Sequence, residues 1–404
     1  MAAAQEPPDL NIPHSDATVE VSIIDTTSHL SLPSLMLVRE SVTEGYNPTC
    51  FLRHYTNLNP SLYKVEPELP NFNTITACCY SFLIKHRSST NPQTQNSKYD
   101  TLIFDLGIRK DWENGPASIV SQVTPFKSNL HIEKDVATIL RENNQSLEEI
   151  GGIVWSHWHF DHTGNPATFP SSTDLIVGPG FRSAFVPGFP TVPESPVDER
   201  AWQDRDLREI DFESESDGLR IGKFRAFDFY GDGSFYLLDT PGHAIGHLCA
   251  LARTTANPPT FMFLGGDIAH HAGEFRPTEY LPLPDSISPS PLQPPFTAQA
   301  TFCPGELFSA IHPHKSRTQP FFSPSTGEHA VHADVAETRR SIEKLTEFDA
   351  YDNVFPVIAH DQSLFDVVEF FPKAANQWKE KGWAREGQWR FLGEFRAGID
   401  QEKA

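Results

Sequence analysis

Apolar residues in this chain gather in short runs separated by polar stretches, a pattern that predicts alternating strands and helices. Strand-like runs occupy residues 19–25, 77–84 and 99–105. The spacing of apolar residues at about 133–142 predicts a helix with one buried face, and a further strand follows at 153–155. This order of strand, helix and strand favours a layered α/β fold.

Apolar runs in the second part of the chain end beside a histidine or an aspartate. The runs and the residues that follow them are 153–155 before His157, 235–239 before His243, 261–264 before Asp267 and 354–359 before His360. Each of these residues taken alone could be structural or exposed. Because imidazole and carboxylate are common metal ligands, their recurrence at strand ends predicts a metal centre.

The densest group of such residues lies directly after the strand at 153–155. Three imidazoles and one carboxylate fall within six positions, at His157, His159, Asp161 and His162. On a loop leaving a strand, the first two histidines alternate to one side, while the aspartate and the last histidine turn toward a second point. A histidine-rich surface loop would explain a pair of histidines but not this order, so the segment predicts the start of two adjacent cation sites.

With the later strand ends, this pattern resembles the metallo-β-lactamase superfamily, which carries His-x-His-x-Asp-His, a later His, a bridging Asp and a last His. The resemblance covers roughly residues 76–370 and implies two zinc ions per chain. It also implies a four-layer αββα sandwich with the metals at one edge. The implied ligands are His157, His159 and His243 for the first metal, Asp161, His162 and His360 for the second, and Asp267 between the two.

Three further residues are placed by the same resemblance. Asp105 ends a strand and would stand behind the metal-binding loop, without being a ligand. His247 follows His243 by four positions and is expected to support the centre or to lie at the surface. Quorum-signal lactonases of the superfamily carry a tyrosine three residues after the bridging aspartate. This chain has His270 there, which can donate the same hydrogen bond to a substrate carbonyl but departs from the strict acyl-homoserine lactonase pattern.

The predicted chemistry is hydrolysis by a hydroxide that bridges two zinc ions. Asp161 would orient the hydroxide and carry a proton to the leaving group, and His270 would support the developing oxyanion. The resemblance is strongest to fungal lactonase and lactamase-like members, including γ-lactamases that open plant benzoxazolinones in detoxification. The first-ranked substrate is therefore a small cyclic ester or amide. Two alternatives stay open: a thioesterase of the glyoxalase II or polyketide-releasing type, and a zinc-binding scaffold without activity.

Composition narrows the choice of partners and compartment. The 32 basic and 53 acidic residues give a formal net charge of −21, which repels nucleic acid and anionic lipid. No signal peptide or transmembrane run is evident, and the five cysteines are odd in number without a Cys-x-x-Cys pair. These features predict a cytoplasmic enzyme with reduced thiols and a small-molecule substrate. They predict no nucleic-acid or membrane partner and leave a homodimer open.

The chain is expected to form one large domain with insertions. A flexible tail at 1–17 precedes a hydrolase domain at 18–372, and 373–404 form a C-terminal extension. Insertions are predicted at about 36–75 and 276–325, followed by a helix at about 332–347. The second insertion is rich in proline and phenylalanine, so it is either a stiff surface loop or a lid whose aromatic residues wall the substrate pocket.

Overall fold

The fold consists of two β-sheets that face each other, with helices on their outer sides. The computed structural model describes residues 4–33, 38–39, 74–86, 98–213, 218–292, 303–326 and 331–396. The strands are β1 (Val19–Pro33), β2 (Val38–Arg39), β3 (Thr74–His86), β4 (Thr101–Phe104), β5 (Leu130–Ile132), β6 (Gly152–Val154), β7 (Asp174–Val177), β8 (Leu207–Glu209), β9 (Arg220–Ile221), β10 (Phe224–Asp228), β11 (Phe235–Asp239), β12 (Leu248–Ala256), β13 (Pro259–Leu264), β14 (Ser286–Ile287), β15 (Cys303–Pro304), β16 (Ser323–Pro324) and β17 (Val354–Val357). The α-helices are α1 (Ala117–Val123), α2 (Val136–Glu142), α3 (Phe160–Thr163), α4 (Phe181–Phe185), α5 (Gly305–Ile311), α6 (Val335–Asp349) and α7 (Trp383–Gly387).

Both large sheets are mixed, and their parallel strands determine where the site forms. The first sheet has the order β5-β1-β3-β4-β6-β7-β8, and the second has the order β17-β13-β12-β11-β10-β9. Neighbours from β4 to β8 run parallel, as do β13 and β17. Since the carboxyl ends of parallel strands meet at the same edge, the residues that follow these strands are brought together.

Three apolar layers hold the elements in place. Phe104 of the first sheet and Leu237 of the second belong to the cluster between the sheets. Leu140 of α2 packs in a cluster on the outer side of the first sheet. Leu345 of α6 does the same on the second sheet. The arrangement is the αββα sandwich that the sequence predicted.

Two helices that the sequence predicted begin a few residues later than expected. The helix expected from about residue 133 begins at Val136, because the Asp135 side chain accepts a hydrogen bond from the Thr138 amide at 2.7 Å. The helix expected from about residue 332 begins at Val335, after Asp334 caps it in the same way. In both cases the helix starts after an aspartate N-cap.

The amino-terminal segment is attached to the domain. Leu10 is 3% exposed and belongs to the cluster beneath α6. Its carbonyl accepts the Gly222 amide hydrogen, and the Arg253 guanidinium donates to the Pro13 carbonyl at 2.6 Å. For residues 4–17 the structure therefore differs from the predicted flexible tail, because an apolar side chain in this polar stretch finds a tertiary pocket.

The proline-rich insertion and the C-terminal extension pack on each other. Phe308, Phe321 and Phe322 are buried in the cluster of the second sheet, together with Phe391 and Phe395. These three insertion aromatics therefore form part of the core and do not wall an open pocket. The C-terminal residues are likewise integrated with the domain as far as residue 396.

Some predictions fall on parts of the chain outside the described residues. These parts include 40–73 of the first insertion, with Cys50, and 293–302 of the second. Among the cysteines with described side chains, Cys78, Cys79 and Cys249 are buried free thiols, as expected. No helix in the described ranges is long and apolar enough to cross a membrane.

Candidate metal centre

The predicted ligands converge because each follows the end of a strand. The strands and residues are β6 before His157, His159, Asp161 and His162, β11 before His243, β13 before Asp267, and β17 before His360. His157 and His159 precede α3, whereas Asp161 and His162 lie within its single turn, so the chain rotates between the two pairs. Gly266 has a φ of +49°, and a Cβ there would lie 2.8 Å from the Ser156 Cβ, so the two loops require glycine at this approach.

His157, His159 and His243 form the first ligand group. The Nε2 atom of His243 lies 3.1 Å from Nε2 of His157 and 2.9 Å from Nδ1 of His159. The Oδ2 atom of Asp267 lies 3.5 Å from His243 Nε2 and 3.7 Å from His157 Nε2. Four ligand atoms of these residues lie within 4.8 Å of one another, which is the geometry of a metal site.

Asp161, His162 and His360 form the second ligand group. The Oδ1 atom of Asp267 lies 3.1 Å from Nε2 of both His162 and His360. The Oδ2 atom of Asp161 lies 3.5 Å from His360 Nε2 and 3.9 Å from His162 Nε2. The Asp267 carboxylate therefore lies between the two groups.

The donor atoms suit divalent cations better than a network of hydrogen bonds. Two neutral imidazole nitrogens can share only one proton, yet His243 Nε2 faces two other ring nitrogens. Zn–N bonds of about 2.0–2.1 Å in a tetrahedron place two nitrogens about 3.3 Å apart, close to these spacings. His162 Nε2 and Asp267 Oδ1 are buried and face each other at 3.1 Å, yet neither atom has a hydrogen bond of good geometry in the described part of the chain. Since orphaned buried polar atoms are rare, the site fits two metal ions.

The surroundings of the first ligand group favour the neutral form of its three imidazoles. Burial, followed by the neighbouring histidines, lowers the pKa of His157 and His243 well below the ordinary value. Burial also lowers the pKa of His159 to about 4. Neutral imidazole is the form that binds a metal, so this half of the site needs no proton release at pH 7.

In the second ligand group, the Asp267 carboxylate favours the charged form of the histidines. Burial opposes a charge on His162 and His360, but Asp267 raises the pKa of both histidines well above the ordinary value. Burial likewise opposes the charge on Asp267, but His162 and His360 hold its pKa well below the usual range. A bound cation can take the place of these imidazole protons, with Asp267 remaining negative.

Side chains behind the ligands fix their orientation. Asp105 accepts hydrogen bonds from the Ser156 amide at 2.6 Å and hydroxyl at 2.7 Å, and its Oδ2 lies 2.8 Å from His162 Nδ1. This aspartate adopts a left-handed backbone with φ +61°, which aims its carboxylate at the metal-binding loop. His360 Nδ1 donates to the Cys78 carbonyl at 2.6 Å. Such contacts orient a ligating imidazole and select its tautomer.

His247 and His270 both lie within the centre. His247 is fully buried, and its Nε2 accepts a hydrogen bond from the Asp267 amide at 3.0 Å, so it supports the shared aspartate from behind. His270 is 1% exposed, and its Nε2 lies 3.3 Å from Asp267 Oδ2. Its ring stacks on His360 with 5.8 Å between centroids. The position of His270 beside the shared aspartate is compatible with the predicted catalytic role.

His332 also lies at the centre, although no sequence pattern pointed to it. Its Nδ1 lies 3.1 Å from Nδ1 of His243, and its ring centroid lies 5.1 Å from that of His270. No apolar strand precedes it, and 89 residues separate it from His243. The only local signal is its place two residues before the helix cap Asp334.

Solvent reaches the centre on the side where the Asp161 side chain lies. The Asp161 side chain is 17% exposed, whereas the Asp267 side chain is 3% exposed. An open carboxylate beside two adjacent metal positions can exchange protons with a substrate or with solvent. An αββα sandwich with this centre at its edge defines a metal-dependent hydrolase.

Comparison with known proteins agrees with that class. No family model matches the chain. It is 49% identical over 402 residues to γ-lactamase FDB1 of Fusarium pseudograminearum, covering 100% of this chain and 88% of that protein. It is 57% identical over 244 residues to γ-lactamase MBL2 of Gibberella moniliformis, covering 60% of this chain and 100% of that protein. It is 42% identical over 393 residues to metallo-hydrolase mfmC of Annulohypoxylon moriforme, covering 96% and 90%.

A solved structure supports the fold. An N-acyl homoserine lactone hydrolase, with N-hexanoyl-L-homoserine bound at its catalytic metal centre, superposes with a TM-score of 0.50 and 13% identity. The match covers 90% of this chain and 100% of that one. The chain belongs to the metallo-β-lactamase superfamily, in the family of these fungal γ-lactamases and metallo-hydrolases.

Proposed function

We propose that this protein is a dinuclear zinc hydrolase that opens a small cyclic ester or amide. The observation that carries the proposal is that Asp267 belongs to both candidate ligand groups, which supports two adjacent cation positions. The names of the γ-lactamase relatives favour a lactam, and the solved lactone hydrolase offers the lactone as the related substrate. Both substrates contain a strained or activated carbonyl in a ring.

Zinc is the proposed metal because imidazoles dominate the donor set. The two groups hold five histidines and two carboxylates, namely His157, His159, His162, His243, His360, Asp161 and Asp267. Nitrogen donors suit zinc, whereas magnesium and calcium prefer oxygen. Bound at these two groups, zinc ions would supply a nucleophile from water at neutral pH and polarise the substrate carbonyl.

The protein's own residues would perform the remaining steps. Asp161, at the open side of the centre, would accept the proton of the attacking water and deliver it to the ring oxygen or nitrogen that leaves. His270 would donate a hydrogen bond to the carbonyl oxygen as negative charge develops there. Asp105 and His247 would hold the ligands in place while charge moves.

Hydrolysis assays on three substrate classes test the proposal. Zinc-reconstituted protein is given a benzoxazolinone, a γ-lactone and a glutathione thioester, and ring or thioester opening is followed by absorbance. We expect turnover of a cyclic substrate, with kcat/KM at least about tenfold above that for the thioester, equivalent to about 1.4 kcal/mol. Turnover of the thioester alone would replace the proposal with the thioesterase alternative. Opening of such rings would also fit a role in xenobiotic detoxification.

A further inference from the structure

In four of the ligand histidines, the ring nitrogen that faces away from the centre has a specific partner. Of the two nitrogens on a ligating imidazole, one faces the metal position and the other usually donates to a neighbouring acceptor. The partners in this centre are the Asp105 carboxylate for His162, the Cys78 carbonyl for His360, the Ser156 hydroxyl for His157 and the His332 imidazole for His243. The partner of His243 is therefore another titratable ring.

The contact between these two rings determines which nitrogen of His243 is free to bind a metal. The two Nδ1 atoms lie 3.1 Å apart, so one proton lies between them. If His243 holds that proton, its Nε2 carries a lone pair toward His157 and His159. If His332 holds the proton, neutral His243 must carry its own proton on Nε2, where it would block the metal position.

The backbone around His332 is tied to the loop that carries His243. The Ala333 amide donates to the His243 carbonyl at 2.9 Å, and the Asp334 amide donates to the Gly242 carbonyl at 2.8 Å. His332 is itself 5% exposed. Because these hydrogen bonds hold the residues that directly follow His332, its ring has a fixed position opposite His243.

We propose that His332 is the positioning residue for His243, and that it controls retention of the metal at the first ligand group. It accepts a hydrogen bond from the Nδ1–H group of His243, fixes the ring and keeps Nε2 of His243 available as a ligand. The second ligand group has the Asp105 carboxylate in the corresponding place, so loss of the His332 acceptor affects one of the two metals. This inference rests on the proposed dinuclear site.

The test is the rate at which zinc leaves the protein to an excess of a chromogenic chelator. His332→Phe keeps the ring but removes both nitrogens, whereas His332→Asn keeps an acceptor near the position of Nδ1. We expect two phases for the unsubstituted protein. In His332→Phe one phase should become about 10–100-fold faster while the other is unchanged, and His332→Asn should restore the slow rate to within about threefold.

A buried histidine remote from the centre provides the matched control. His312 is 2% exposed, and its Nε2 donates to the Gln319 carbonyl at 2.8 Å within the insertion. His312→Phe should lower the melting temperature without changing either phase. Melting curves of the metal-free proteins separate lost stability from lost retention, and His332→Leu serves if the phenylalanine variant does not fold.

The outcomes separate this inference from the proposed function. Unchanged release in His332→Phe, or an equal defect in His332→Asn and His332→Phe, would overturn the role of His332 while leaving the two-metal site standing. Failure of the unsubstituted protein to hold two zinc ions would overturn the proposed function itself. The inference is supported if one of the two release phases is faster in His332→Phe and its slow rate is restored in His332→Asn.

Discussion

Asp161 combines two properties that the other ligand candidates do not share, since it reaches the second metal position and is also open to solvent. We predict that Asp161→Asn retains at least one metal but loses hydrolysis by several orders of magnitude. The amide can still occupy the space of the carboxylate, but it cannot accept a proton from water. Metal analysis, a melting curve and kcat on one preparation check this expectation. Retention of more than about a tenth of kcat, a barrier change under about 1.4 kcal/mol, would exclude the assigned role.

Substitution of His270 tests whether a protein side chain donates a hydrogen bond to the carbonyl oxygen of the substrate. We predict that His270→Phe lowers kcat by about 100-fold and changes KM little, because a donor to a developing oxyanion is worth about 3 kcal/mol in the transition state. Steady-state kinetics measure the two constants separately. The opposing result is a lower melting temperature with kcat/KM unchanged per folded molecule, which would make His270 a packing residue.

At the scale of elements, the loop after β11 must approach α6 closely to present His243. Gly242 has a φ of +127°, and a Cβ at this position would lie 2.2 Å from the Thr338 backbone nitrogen. We predict that Gly242→Ala costs about 3 kcal/mol or more in the free energy of unfolding, because both backbone strain and overlap with the helix contribute. Urea unfolding and metal content measure the effect.

Gly231 is the matched control for that substitution. It has a φ of +70°, but a Cβ there would meet nothing within 4 Å. Gly231→Ala should therefore cost only about 1–2 kcal/mol, the penalty of the left-handed backbone itself, and should leave metal content unchanged. Equal losses in the two variants would show that the approach of the loop to α6 is not the constraint.

The sequence predicted the elements that carry a local signal. The candidate ligands in the loop after β6 lie within six positions, and the other three candidates follow apolar strands, so the resemblance to the metallo-β-lactamase superfamily could be recognised in the sequence. His332 has no such signal, because only the return of the chain to the His243 loop gives it a partner. Leu10 is similar, since a single apolar residue in a polar stretch becomes buried only against a tertiary surface.

For the whole molecule, the layered arrangement of sheets and helices could be predicted from the sequence. The position of the insertions in the fold could not. Alternating strands and helices favour a layered α/β fold, and the resemblance to the metallo-β-lactamase superfamily implied the four-layer sandwich. The second insertion has no periodic pattern that distinguishes a lid from a core segment. Its Phe321 is buried because the distant Phe391 and Phe395 pack against it, a pairing that requires the folded chain.

Elemental analysis of the purified protein, carried out alongside activity assays, tests the proposed content of two metals per molecule. We predict close to two equivalents of transition metal, mainly zinc, and complete loss of turnover on chelation that zinc restores. His360→Ala should lower the content toward one equivalent and abolish hydrolysis, because it removes a ligand of the second group. A protein that holds one tightly bound metal and keeps its full activity in His360→Ala would contradict the dinuclear site.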